Sequence, residues 1–334
     1  MGYCPSAGSS QVTASNLPYR LRPNKYVDRE LFAELVSLLV AESGAETYAY
    51  ISMGGNHLSD HLAMYRRAGL RNLYAFDNDP IVVERQKFNS PFNGILCEAH
   101  ESAELPSRMD EIVEKMGVKN VIIWLDFTEP KQLKQLGEIE TLCRRLQVGD
   151  ILRVTFNVDF ESLHKRESQL NERERSLPVD EKRAALMKKV LGGYFPRTIA
   201  RIGQGGDAAA VTASVARACQ MGLESQQHRP CPVPLLVTEY RDSSTMLTVT
   251  IMICDGNGAP KAADNWKFKP ADWSDVERII APDLSPRERM TLDKQMHGDA
   301  SEVAAALGFP LEEEAIRSYA KFHRFYPSFQ AVGD

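Results

Sequence analysis

A glycine pair and an acidic residue follow two successive apolar runs of the chain, at a spacing suited to holding a nucleoside. The run TYAYISM ends in Gly54-Gly55-Asn56, and Asp77 ends the next apolar run, 22 residues after Gly55. Glycine adopts a positive φ readily and lets the backbone approach a ligand closely. A carboxylate about 20 residues further along a β-α-β unit accepts hydrogen bonds from ribose hydroxyls. The pattern predicts that Gly54, Gly55, Asn56 and Asp77 bind an adenosine-type cofactor, unless the glycines only form a tight turn.

Two later apolar runs end in side chains that would line the same cleft. The run GILCEA contains Glu98 and precedes His100, and we predict that one of these two lies against an adenine edge. The run KNVIIWLDF, the clearest strand pattern in the chain, contains Asp126 and ends in Phe127. We expect the Asp126 carboxylate to point into the cleft and the Phe127 ring to stack on a flat group. A generic polar loop at His100, or a helix cap at Asp126, would explain the same residues.

Other motifs with a known chemistry are weak in this chain. His57 and His61 have the i, i+4 spacing of a zinc-binding helix face, but no third ligand is evident, so no metal site is predicted. The GQGGD segment lacks the Lys-Ser/Thr pair of a P-loop and is expected to be a flexible loop. The six cysteines form no C-x-x-C pair, which indicates a reducing cytoplasm rather than a zinc or redox knuckle.

The overall composition is that of a globular protein that does not rely on bulk positive charge. The chain has 334 residues, of which 43% are apolar and 25% charged, and its formal net charge is −5. This acidity argues against an obligate nucleic-acid binder, although it leaves room for a local basic cleft. The start of the chain does not have the pattern of a secretory signal, and no apolar run is long enough to span a bilayer. We therefore predict a cytoplasmic protein without a membrane partner.

Strand and helix patterns alternate with short connections between residues 28 and 158. Such alternation predicts right-handed β-α-β crossovers, a parallel sheet and helices on both of its faces. Residues 235–254 then contain two strand patterns joined by a short polar turn, which predicts an antiparallel hairpin. In an open sheet of this kind, ligands bind at the carboxyl ends of the parallel strands. The side chains that follow each apolar run are therefore expected to meet at one edge.

Single residues also indicate where helices start and end. Asp28, Ser59 and Ser285 are placed to cap helices, and Pro80 and Pro286 suit first helical positions. Gly69 and Gly117 are placed to end two helices.

The rest of the chain divides around this predicted α/β core. A highly charged stretch broken near Pro178 follows the fifth strand. That stretch is either a solvated helical insertion or a cap over a substrate cleft. The predicted segments are an irregular amino-terminal arm (1–27), the core (28–158 and 235–254), a mainly helical insertion (159–234) and a helical carboxyl-terminal extension (255–334).

The glycine turn, Asp77, the segment WLDFTEP and the closing hairpin together resemble class I S-adenosylmethionine-dependent methyltransferases. The segments ERQKFNSPFNGI and YAKFHRFYPSF are also similar to a bacterial group of O-methyltransferases. The resemblance implies a Rossmann-like methyltransferase fold, with a mostly parallel sheet closed by an antiparallel hairpin, and S-adenosylmethionine as the cofactor. Gly54 and Gly55 would approach its methionine part and Asp77 its ribose. Asp126 would be the catalytic residue that orients or deprotonates the methyl acceptor.

Departures from the family pattern leave other interpretations open. The family's loop usually reads acidic-x-Gly-x-Gly-x-Gly, whereas Ser52 or Met53 stands where the acid is common and Asn56-His57 replaces further glycine. A catalytically inactive methyltransferase-like module acting in a protein assembly is therefore the main alternative. A nicotinamide-dependent oxidoreductase is a weaker alternative, because the closing hairpin argues against it. The acceptor is not readable from the sequence, but the net acidity favours a small molecule or a protein over nucleic acid.

Overall fold

The computed structural model of the chain describes residues 22–158, 168–242, 244–256, 258–295 and 307–327. These residues fall into two compact units. Asp28–Ile280 carries the sheet, and the second unit combines residues 22–27 with the described residues after Ile280. None of the described helices has the length and hydropathy needed to cross a membrane.

A single eight-stranded sheet forms the larger unit, in the order β3-β2-β1-β4-β5-β7-β6-β8. The strands from β3 to β5 are parallel, β7 is antiparallel to both of its neighbours, and β8 pairs parallel with β6. The predicted α/β class, with a mostly parallel sheet closed by an antiparallel hairpin, is confirmed. The strands are β1 (Tyr48–Ser52), β2 (Asn72–Asp77), β3 (Ile95–Ala99), β4 (Asn120–Asp126), β5 (Ile151–Asn157), β6 (Cys231–Arg241), β7 (Thr245–Cys254) and β8 (Glu277–Ile279).

Eleven α-helices occur among the described residues, and several begin and end where the sequence predicts. Pro80 starts α3 after Asp79, whose side chain accepts a hydrogen bond from the Ile81 amide. Gly69 and Gly117 end α2 and α4 in the left-handed conformation that glycine adopts readily. The helices are α1 (Pro23–Ser43), α2 (Ser59–Ala68), α3 (Pro80–Asn89), α4 (Leu105–Met116), α5 (Gln132–Cys143), α6 (Glu172–Arg175), α7 (Val179–Leu191), α8 (Asp207–Leu223), α9 (Lys261–Asp264), α10 (Pro286–Asp293) and α11 (Glu313–Phe322).

Two predicted helix caps are wrong. Helix α1 begins at Pro23, a residue suited to the first helical position, so Asp28 lies inside the helix and does not cap it. Helix α2 is preceded by Leu58 in a left-handed conformation, and Ser59 is its first residue. In both cases the sequence pattern identifies the helix but misplaces its start.

The segment predicted as an insertion supplies one of the layers of the core. Helix α8 packs along α5, and a Cβ at Gly222 would collide with the carbonyl oxygen of Glu140. Buried residues of α8 belong to the same hydrophobic cluster as β5 and β7. The predicted break at Pro178 separates α6 from α7, while residues 159–167 lie outside the described residues. The domain boundaries given above stay a prediction.

The smaller unit contains α10 and α11. Ser285 caps α10 as predicted, its side chain accepting from the Glu288 amide, and Pro286 occupies the first helical position. The two helices are joined by a hydrogen bond from the Tyr319 hydroxyl to Asp293 Oδ1 at 2.6 Å. The last residues of the YAKFHRFYPSF segment lie outside the described residues.

A buried ion pair ties α1 to the sheet. Arg153 in β5 is fully buried, and its Nη2 donates to Asp28 Oδ2 at 2.6 Å. The other carboxylate oxygen of Asp28 accepts from the Thr238 hydroxyl of β6. The guanidinium packs between two rings, 4.5 Å from the centroid of Phe32 and 4.8 Å from that of Trp124. One charged pair therefore links α1, β4, β5 and β6 inside the fold.

Removing one member of this pair should be strongly destabilising, because it leaves the other charge buried and uncompensated. We expect Asp28→Leu to lower the free energy of unfolding by about 3–5 kcal/mol. In the double variant Asp28→Leu/Arg153→Met no charge is left buried, so most of that loss should be recovered. Urea unfolding followed by circular dichroism measures both values.

Glu84→Leu is the matched control, because it breaks an ion pair with Lys87 in which both side chains are largely exposed. Its free energy of unfolding should stay close to that of the unchanged protein. Equal losses in the single and the double variant at Asp28 would contradict a charge-based explanation.

Candidate functional site

The sheet reverses its winding direction between β1 and β4. From β1 the chain adds β2 and β3 on one side, and then returns to place β4 and β5 on the other. A crevice forms at such a switch point, outside the carboxyl ends of the strands. A cavity of about 450 Å³ lies there, between the ends of β2, β3 and β4 and the first turns of α5.

Four of the residues predicted to form a site line this cavity. They come from three different strand ends: Asp77, His100, Asp126 and Phe127. Met53, which directly precedes the glycine pair, also lines it. Gly54, Gly55, Asn56 and Glu98 are not among the lining residues. The fold therefore brings the predicted carboxylates and rings together, with the glycine turn next to them.

Asp77 is the last residue of β2, and its carboxylate is oriented by the chain that follows. Its Oδ1 accepts a hydrogen bond from the Asp79 amide at 2.9 Å. Partial burial raises the pKa of Asp77 above the ordinary value of 3.8, and the neighbouring charge of Asp79 acts in the same direction. Backbone hydrogen bonds from Asp79 and Asn78 oppose that rise. An acceptor for ligand hydroxyls thus stands at the cavity wall in a defined orientation.

His100 forms part of a flat aromatic wall of the cavity. Its ring stacks on Phe76 with the centroids 4.5 Å apart and the planes only 10° from parallel. Its Nδ1 donates to the carbonyl oxygen of Glu101 at 2.9 Å, and its Nε2 lies 3.0 Å from the Tyr74 hydroxyl. Because both ring nitrogens are engaged by the protein, His100 is suited to packing against a flat ligand group rather than to moving protons.

Glu98 faces a different set of partners. Its carboxylate accepts hydrogen bonds from the Tyr74 hydroxyl at 3.0 Å and from Lys115 Nζ at 3.1 Å. Burial raises its pKa, but these hydrogen bonds and the nearby charges of Lys115 and Arg108 outweigh that and lower it overall. Of the two residues predicted to border an adenine, only His100 lines the cavity. Glu98 instead accepts a hydrogen bond from Tyr74.

Asp126 and Phe127 lie where β4 ends. The Phe127 amide donates to the Thr155 carbonyl of β5 at 3.0 Å, which continues the parallel register past the end of the strand. The Phe127 ring also packs in the hydrophobic core, 6.0 Å from the ring of Phe156. Helix α5 begins only after Lys131 and has no side-chain cap, so the alternative that Asp126 merely caps that helix is wrong.

The turn after β1 requires glycine at one position in particular. Gly54 and Gly55 both have a positive φ, of 69° and 52°. A Cβ at Gly54 would lie 2.8 Å from Cδ2 of Leu58 and 2.9 Å from Cε1 of His61, whereas a Cβ at Gly55 would meet no atom within 4 Å. Leu58, which follows in the turn, is also left-handed, with a φ of 50°.

A buried carboxylate that was not predicted from the sequence stabilises this turn through a chain of hydrogen bonds. Asp60 in α2 is 4% exposed and accepts hydrogen bonds from the hydroxyls of Tyr50, at 2.8 Å, and of Ser52. The Ser52 oxygen in turn accepts the Gly54 amide at 3.1 Å. Burial alone would raise the pKa of Asp60, but the charge and hydrogen bond of His61, with the two hydroxyls, lower it well below its usual range.

The Asp60 network explains two features of the sequence. The resemblance implies an acid where Ser52 or Met53 stands, and here the carboxylate that contacts Ser52 comes from α2. His61 is held by Asp60 on one side and donates from Nε2 to the Tyr74 carbonyl at 3.0 Å on the other, so its ring is not available to a metal. Among the described residues, no group of His, Cys, Asp and Glu could hold a metal ion.

The far wall of the cavity comes from α5 and was also missed. Ser102 after β3 donates to Glu138 Oε2 at 2.7 Å, which joins the loop to the helix. Gln135 donates from Nε2 to the Glu129 carbonyl at 2.6 Å. The side chains of α5 that line the cavity share one face of the helix. Sequence spacing alone does not say which face of a helix lies toward a cleft. The helix residues that line the cavity are Lys134, Gln135 and Glu138.

Comparisons with known proteins give one family match. The family model described as "Putative O-methyltransferase" matches residues 17–333. No curated protein matches the chain.

Several solved structures are similar to the chain at low identity. The N-methyltransferase NodS from Bradyrhizobium japonicum WM9 is 10% identical, with a TM-score of 0.36, over 69% of this chain and 97% of that one. Magnesium protoporphyrin IX methyltransferase from Synechocystis PCC 6803, solved with bound SAH, is 12% identical, with a TM-score of 0.33, over 74% of this chain and 90% of that one. At these scores the similarities carry no argument about individual residues.

The requirement for glycine at residue 54 can be tested against its neighbour. Gly54→Ala should lower the free energy of unfolding by about 1–3 kcal/mol, because alanine is strained at positive φ and its Cβ would also press on Leu58 and His61. Gly55→Ala carries the backbone strain without the collision and should lose less. Urea unfolding of the two variants measures the difference, and equal losses would show that the contacts with Leu58 and His61 have no effect.

Proposed function

This chain belongs to the family described as "Putative O-methyltransferase", and from that premise we propose that it transfers a methyl group from S-adenosylmethionine to an acceptor. The proposal rests on one observation above the others. Asp77, His100 and Asp126, which lie far apart in the sequence, line one cavity at the switch point of a doubly wound sheet. That is the position at which open α/β sheets bind nucleotide ligands.

The residues of the cavity fit the parts of this cofactor. The Asp77 carboxylate would accept hydrogen bonds from the ribose hydroxyls, and the stacked rings of Phe76 and His100, which line the cavity, would contact the adenine. The turn after Met53 would hold the methionine portion. The cavity volume of about 450 Å³ is within the usual range for small-molecule sites. Carboxylates on the cavity walls also suit a cofactor that carries a sulfonium charge.

The reaction requires little chemistry from the protein. When bound, S-adenosylmethionine supplies a methyl group that its sulfonium already activates. The chain contributes by holding the nucleophile, the methyl carbon and the sulfur in line. Asp126, at the end of β4, orients an acceptor hydroxyl or takes up its proton. Phe127 is buried beside it and helps to keep water from that end of the cavity.

The family description points to an oxygen nucleophile, and the charge of the chain favours a small molecule or a protein over nucleic acid as the acceptor. The formal net charge of −5 gives no general attraction for nucleic acid. Two basic side chains of the charged stretch after β5 are neutralised by acidic partners: Arg183 pairs with Asp207 and Lys189 with Glu174.

Binding of the reaction product, S-adenosylhomocysteine, tests the cofactor site. Isothermal titration calorimetry should detect one site, and Asp77→Ala should weaken it by at least tenfold, because hydrogen bonds to a charged group contribute about 1.5–3 kcal/mol. Asp110→Ala is the matched control, since that carboxylate is exposed on α4. If the unchanged protein gives no heat with this ligand, the proposed function is wrong.

Transfer of a labelled methyl group separates an enzyme from a non-catalytic module. With labelled S-adenosylmethionine and an extract of the native host, the protein should label either a small-molecule or a protein fraction. Asp126→Asn should reduce that labelling by about 10²-fold or more, as for loss of a general base. Its affinity for S-adenosylhomocysteine should remain near that of the unchanged protein. Binding without any labelling in either fraction would favour the non-catalytic alternative.

A further inference from the structure

The glycine turn is held from the side by two amide side chains of α3. Gln86 Nε2 donates to the Met53 carbonyl at 2.7 Å, and Asn89 Nδ2 donates to the Asn56 carbonyl at 2.8 Å. The two carbonyls stand immediately before and immediately after the glycine pair. Residues three apart on a helix share a face, so one face of α3 forms hydrogen bonds with both ends of the turn.

The buried environment of Gln86 indicates that packing alone does not account for it. The side chain is 0% exposed, yet among the described residues its Oε1 has no hydrogen-bond partner. An unpaired buried oxygen is unfavourable, and an apolar side chain of the same length would avoid it. The orientation of the amide is settled by its partner, because the Met53 carbonyl only accepts and the nitrogen must face it. The amide of Gln86 therefore serves to donate a hydrogen bond to the Met53 carbonyl.

Helix α3 also sets the position of the Asp77 carboxylate. Asp79 caps the helix through the Ile81 amide, and the Asp79 amide donates to Asp77 Oδ1 at 2.9 Å. The amino-terminal end of α3 therefore fixes Asp77, while its carboxyl-terminal half fixes the glycine turn. The two halves of the proposed cofactor site are spaced by one rigid helix.

We propose that Gln86 and Asn89 are positioning residues that set the glycine turn for cofactor binding. This inference rests on the proposed function. A loop with only two glycines, and with no acid at residue 52 or 53, is held by hydrogen bonds from these amides and by the Asp60 network.

Replacing Gln86 and Asn89 with apolar residues of similar size tests whether their hydrogen bonds to the glycine turn matter for cofactor binding. In the double variant Gln86→Met/Asn89→Leu, the affinity for S-adenosylhomocysteine should fall by about tenfold or more, since each lost hydrogen bond contributes a factor of about 2 to 10. The KM for S-adenosylmethionine should rise with a smaller change in kcat. The midpoint of thermal unfolding should change little. Arg85→Met, on the exposed side of the same helix, is the matched control and should affect none of these values.

A second measurement does not depend on the cofactor. In the free protein, amide hydrogen exchange over residues 54–58 should be faster in the double variant than in the unchanged protein or in Arg85→Met. If the double variant does not fold, the single variant Asn89→Leu serves instead, because it removes only the donor to the Asn56 carbonyl and lies at a half-buried position.

The outcomes separate this inference from the proposed function. If the unchanged protein binds S-adenosylhomocysteine and the double variant binds it equally well, Gln86 and Asn89 do not position the turn for cofactor binding, and the proposed function stands. If the exchange of residues 54–58 is also unchanged, no positioning role remains. If the unchanged protein does not bind the ligand at all, the proposed function fails and the inference about cofactor binding fails with it.

Discussion

The reversal of winding between β1 and β4 is the constraint on which the candidate site depends. Five parallel strands open their carboxyl ends on one edge of the sheet, and the two winding directions leave a gap between them at that edge. Asp77, His100 and Asp126 come from β2, from the loop after β3 and from β4, and only this topology places them around one cavity. No local feature of the chain would bring them together.

Beside that gap, side chains of the neighbouring helices stabilise the glycine turn after β1. Asp60 of α2 supplies a buried carboxylate beneath Ser52, and Gln86 and Asn89 of α3 hold the carbonyls on either side of the glycine pair. A motif read along the chain looks incomplete in such a case, although the hydrogen bonds that define the turn are present. A degenerate sequence motif is therefore weak evidence for a lost site when the missing groups can be provided from elsewhere in the fold.

The two faces of the sheet are stabilised in different ways. On one face, α5 and α8 pack an apolar cluster against β4, β5 and β7. On the other, α1 is joined to the sheet through the Asp28–Arg153 pair, covered by the rings of Phe32 and Trp124. A buried pair of charges is not a strong source of stability, but it tolerates only one arrangement of its partners. It is suited to fixing how α1 lies across the strands that carry the site.

The sequence by itself determined the elements and their class. Periodicity, together with glycine and proline at the ends of the runs, predicts β1 to β5 within a residue or two of their observed limits. The closing hairpin and the ends of α2 and α4 were predicted in the same way. These features depend on backbone preferences and on alternation of apolar residues, which are local. The three-residue strand β8 was missed, because so short a run carries no period.

Only the tertiary structure decided which side chains serve the cavity and which serve the fold. Glu98 and His100 were equal candidates along the chain, but Lys115 of α4 binds one and Phe76 stacks on the other. Asp28 looked like a helix cap and is the partner of Arg153, a residue 125 positions away. The wall formed by α5 was not predicted at all. The direction in which a side chain points depends on how helices pack against the sheet, and that packing is set by contacts between residues distant in sequence.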